Sequence, residues 1–131
     1  MDHRSVVTQT DISSAVRRVV DTAATEAGRF ADRVVGTGPL PGTREWEVEQ
    51  DTSLPADRAR AWHLLSLRVQ VAAGLDGIET VVVLRMQGTT WAAIGEAVGM
   101  SRQSAHERWS SRANGVLDPM GTGLPPIATA D

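Results

Sequence analysis

The 131-residue chain contains no cysteine and no lysine. Without cysteine there is no disulfide framework, no thiolate zinc site and no thiol nucleophile. Long hydrophobic runs are missing too, since none approaches the ~18 residues that a membrane span needs. The opening stretch "MDHRSVVTQTD" has neither an apolar core nor a cleavage-like site, so it does not read as a secretory signal. A cytoplasmic address is the resulting expectation. Surplus positive charge is also lacking. The net charge of −3 counts against a protein that coats nucleic acid indiscriminately. All 13 basic residues are arginine; the guanidinium fork suits carboxylates, phosphates and guanine edges, although a GC-rich coding genome produces the same bias. No nucleophile elbow, phosphate loop or acid–base pair is legible, so neither catalysis nor a cofactor is expected.

What is present is a globular composition of a size suited to one modest core, or to a small domain with a helical arm. Residues 1–9 read as a frayed terminus. From Thr10 to Val34 apolar residues recur at helical spacing, with Thr10 or Asp11 as cap and "GTGPLPG" as the stop. The stretch "TREWEVEQ" alternates, which fits a short strand or an ordered loop. Ser53 and Pro55 open a second long helix whose expected buried stripe is Trp62, Leu65, Val69 and Ala72. Asp76 and Glu79 have the spacing of a capping box for a third, closed by Gly88. The stretch after Arg112 is rich in glycine and proline and reads as a flexible tail. The expected fold is therefore all-α: long N-terminal helices over 1–75, a tri-helical unit over 76–112, and a tail over 113–131.

The informative stretch is "TTWAAIGEAVGMSRQSAHERW" at 89–109. Thr90 suits an N-cap, and a helix from Trp91 to Val98 ends at Gly99. Ser101 caps the next helix, which runs towards Arg112. Two short helices joined by about three residues, with glycine in the turn, match a helix-turn-helix unit. Gly95 fits where a side chain would push the pair apart, and Gly99 fits a positive-φ turn. Ile94, Val98, Met100 and Ala105 are the expected shared core, with Trp91 and Trp109 at its edges.

The segment "WAAIGEAVGMSRQSAHERW" resembles the helix-turn-helix of bacterial transcription regulators, above all the version in sigma-factor region 4. The likeness extends over 76–112 when the preceding helix is included. Arg108 departs from the pattern, standing where the family has an inward aliphatic residue. The resemblance implies that the 101–112 helix enters the major groove of double-stranded DNA. Carried over by position, Arg102, Gln103, Ser104 and His106 become base readers. Thr89, Thr90, Ser101, Arg108 and Arg112 become phosphate contacts, which fix register without reading sequence. The competing reading is a protein–protein adaptor that grips a partner with the same helices.

The three histidines lie far apart with no carboxylate at ligand spacing, so no metal site is expected. The run Glu45, Glu47, Glu49 and Asp51 reads as a solvated acidic face. A helix over 10–35 would be roughly 38 Å long. It carries more apolar residues than one neighbour covers, and with Trp62 and Leu65 it is expected to form a homodimer interface. The alternative is a monomer with that arm folded back. RNA polymerase is a candidate contact for the tail.

Overall fold

The computed structural model describes residues 2–121. Among them are seven helices and no strand: α1 His3–Gln9, α2 Ser13–Val35, α3 Arg44–Glu49, α4 Leu54–Ala72, α5 Ile78–Met86, α6 Trp91–Val98 and α7 Arg102–Leu117. The all-helical expectation holds. None of these helices is long and apolar enough to cross a membrane.

Several local expectations are corrected. Residues 3–9 are helical rather than frayed, because the Asp2 carboxylate accepts the Ser5 amide at 2.7 Å and caps α1. "TREWEVEQ" is neither strand nor loop but helix α3. The Thr43 hydroxyl accepts the Trp46 amide, and Glu45 and Glu47 sit favourably in the positive first turn. A six-residue segment is too short for periodicity to separate the two states, so the cap decided. The helix also runs on past Arg112 to Leu117, with Ala113 fully buried, so the start of the expected tail is part of the fold. The rest of that tail, from 122 onward, lies outside the described residues.

The core is built around α4, which is packed from two sides: by α2 on one and by α5 and α6 on the other. This is why its expected single stripe fails. Ala72 is exposed, and the fully buried positions are Ser66, Leu67 and Gln70. A buried glutamine costs stability unless its amide is bonded. Gln70 Nε2 donates to Ser66 Oγ and, at 2.9 Å, to Thr80 Oγ1 on α5. The main cluster joins Leu67, Val81, Leu84, Trp91, Ile94, Ala105, Trp109 and Ala113. Trp91 and Trp109 thus lie within the core, not at its edge.

The second half of α2 folds back onto α4. Ala27, Gly28 and Ala31 are buried there, and a side chain at Gly28 would press on the Trp62 ring at 2.9 Å. The first half of α2 stays uncovered: Ile12, Val16 and Val19 are all at least half exposed.

Candidate nucleic-acid interface

α6 and α7 are joined by Gly99, Met100 and Ser101. Gly99 takes up the left-handed conformation at φ 78°, which an L side chain rarely adopts. The Met100 amide then donates to Gly95 O at 2.8 Å and the Gly99 amide to Glu96 O, closing a Schellman turn. Gly95 has a different reason. A Cβ there would lie 2.8 Å from Met100 O and 2.9 Å from Ser101 O. What excludes a side chain is the backbone of the turn rather than the crossing helix itself.

The turn delivers Ser101 as the cap of α7: its hydroxyl accepts the Ser104 amide at 3.0 Å and donates to Ser104 Oγ. Downstream, Ala105, Trp109 and Ala113 fall on one inward stripe and are completely buried. The stripe fixes the rotation of the helix. Arg102, Gln103, Ser104, His106 and Glu107 are consequently all exposed on one continuous surface. The Gln103 amide donates to the Glu107 carboxylate at 3.1 Å, and the His106 ring meets the Trp91 edge at 5.6 Å between centroids. Trp91 is held in turn by the Arg85 guanidinium, 4.6 Å from its ring centre.

The residues expected on phosphate divide. Thr90 spends its hydroxyl on capping α6, accepting the Ala93 amide at 3.1 Å. Thr89 is only 2% exposed and its hydroxyl is buried without a hydrogen-bond partner, so it presents nothing to a ligand. That placement corrects the expectation for Thr89. Arg108 lies over the Trp109 ring at 4.6 Å, with one nitrogen 3.4 Å from Asp76 O. Arg112 makes a two-pronged ion pair with Asp76, at 2.8 and 3.0 Å. Both arginines therefore serve first to hold α7 against the start of α5.

Asp76 is the residue that sequence reasoning misplaced. It does not build a capping box. Its carboxylate accepts the Ile78 amide at 3.1 Å, while Glu79 pairs across to Arg17. Its backbone carbonyl takes the Trp109 indole N–H. The Arg112 hydrogen bonds hold the Asp76 carboxyl below the ordinary carboxylate range, and the same contact raises Arg112. No spacing rule marks a pair 36 residues apart.

Among the described residues no group of three or more histidines and carboxylates converges to hold a metal ion. No family model, curated protein or solved structure matches the chain.

Proposed function

We propose that the protein is a non-enzymatic, sequence-specific DNA-binding regulator acting in the cytoplasm, with α6 and α7 as its helix-turn-helix and α7 as the reading helix. The observation that carries this is the division of α7 into two faces. Ala105, Trp109 and Ala113 anchor one, and the first two turns of the other offer Arg102, Gln103, Ser104 and His106 together. An arginine can pair with guanine O6 and N7 and a glutamine with adenine N6 and N7, each good pair giving about 1–3 kcal/mol of discrimination. Gln103 must leave Glu107 to do so.

Phosphate contacts fall in this reading to the exposed Ser101, whose hydroxyl must turn its proton from Ser104, to the partly exposed Arg108 and to the exposed Arg112, the latter two reorienting from Asp76. The exposed first half of α2 supports a two-fold dimer, which would place two reading helices on one duplex. Trp62 is only partly exposed, with its ring against Gly28, so the pairing rests on the first half of α2.

A second reading has an observation of its own. With Arg108 and Arg112 drawn to Asp76, the positive field on α7 is weaker than its arginine count implies, which favours an adaptor that grips a protein. Selection of bound sites from a random duplex pool, followed by titration over a salt series, separates the two. Affinity that falls steeply with salt and centres on a defined sequence supports DNA reading. Absent or salt-insensitive binding supports the adaptor.

A further inference from the structure

Away from α7, the C-terminal end of α2, the 36–43 loop, α3 and α4 enclose a cleft of about 450 Å³. That is within the range of small-molecule sites, which are apolar with a few placed polar groups. Trp46 and Trp62 reach it from different helices, and Pro39, Pro41 and Pro55 complete the apolar lining. Both indoles are partly exposed. Trp62 is fixed: its ring lies on Gly28, and its indole N–H donates to Asp32 Oδ1 at 2.7 Å.

The charges in the cleft do not cancel. Arg58 is held by Glu49 through a two-oxygen contact at 2.7 and 3.0 Å, in a pair that is largely shielded from solvent. Asp32 accepts from the neutral Trp62 indole and pairs with no cation among the described residues. The site therefore carries one uncompensated carboxylate beside two indoles. The neighbouring surface adds to it, since Glu45, Glu47 and Asp51 all lie exposed on or just after α3. Indole faces attract cations, and more so when water is partly excluded.

We propose that this cleft binds a hydrophobic organic cation, seated against Trp46 and Trp62 with Asp32 as its counter-charge. An anion would meet Asp32, with Arg58 already engaged. A neutral molecule of the same shape would gain the apolar contact but neither the ring nor the carboxylate attraction.

The test uses the full chain without DNA, so it fails or succeeds separately from the DNA reading. Isothermal titration compares N-methylquinolinium with its uncharged isostere 1-methylnaphthalene and with the anion 1-naphthoate. The expected result is one site that prefers the cation by roughly tenfold or more. Asp32→Asn, which keeps an acceptor for the Trp62 indole, should lose most of that preference with an unchanged melt. Should that variant melt early, Trp46→Leu carries the same expectation at a partly exposed position. No heat with the cation, equal affinity for all three probes, or preference for the naphthoate would overturn the proposal. So would wild-type affinity in both variants.

Discussion

Arg112 grips Asp76 with two nitrogens across 36 residues of sequence, and so ties the far part of α7 to the start of α5. The Trp109 indole bonds to the carbonyl of the same aspartate, so one residue positions the helix by side chain and by backbone. Because the Asp76 carboxyl is held below its ordinary range, the tie contributes fully at neutral pH. It is lost as pH falls through that lowered value. Asp76→Asn should therefore melt somewhat lower than the parent near neutrality, and the two melting curves should converge on acidification. Circular-dichroism melts over a pH series check this. A constant gap down to the acid end would show that the carboxylate charge is not what matters.

Gly95 and Gly115 make opposite predictions for the same substitution. Alanine is favoured over glycine in a helix by roughly 1 kcal/mol. At Gly115 nothing lies within 4 Å of the added Cβ, so Gly115→Ala should raise the melting temperature. At Gly95 the Cβ meets two backbone carbonyls, which cannot swing aside as a side chain does. Forced overpacking typically costs about 1–3 kcal/mol, enough to outweigh the propensity gain. Gly95→Ala should lower the melt. Equal effects at the two sites would mean that the turn is not tightly held.

The contrast also shows what the sequence could and could not reveal. Thr90, Gly95, Gly99 and Ser101 announce α6, its turn and the start of α7, because caps and positive-φ glycines act within a few residues. Ile94, Val98, Met100 and Ala105 pack as their spacing predicts. Asp76 was read as a local cap because its true partner depends on how α7 crosses α5, which no local pattern encodes. Trp62 looked like an interface residue for the same reason: only the close approach of Gly28 explains where its ring goes. The cleft beside Trp46 was invisible because α3 itself was not recognised. A six-residue helix leaves too little periodicity to detect.

Arg102 and Arg112 should behave differently on DNA. Arg102→Ala removes a candidate base contact from the exposed first turn, so it should cost ~1–3 kcal/mol and relax preference at one position. Arg112→Ala should act first through the Asp76 tie, lowering the melt, with any loss of affinity spread over all sequences. Binding titrations on the selected site and on single-base variants distinguish a local loss from a uniform one. Arg102→Ala binding every variant as the parent does would remove α7 from the groove.

The uncovered half of α2 yields the last prediction. Ile12, Val16 and Val19 are 60%, 50% and 64% exposed, and their spacing of four and three residues places them on one helical face. Arg17 and Asp21 turn to the other side of the helix, where Arg17 pairs with Asp21 and with Glu79, so the exposed face is apolar. An antiparallel two-fold pairing centred near Val19 would cover this apolar face with the same face of a second copy. Sedimentation at micromolar concentration should give a particle of twice the 14.0 kDa chain. Val16→Glu with Val19→Glu should give a folded monomer whose melt no longer depends on protein concentration, because neither side chain is buried within the chain. On a palindromic duplex the double variant should lose roughly 10²-fold in affinity, while a single half-site binds as before, since only the linkage between two reading helices is removed. A wild-type monomer both with and without DNA would rule out the dimer and leave each α7 to read alone.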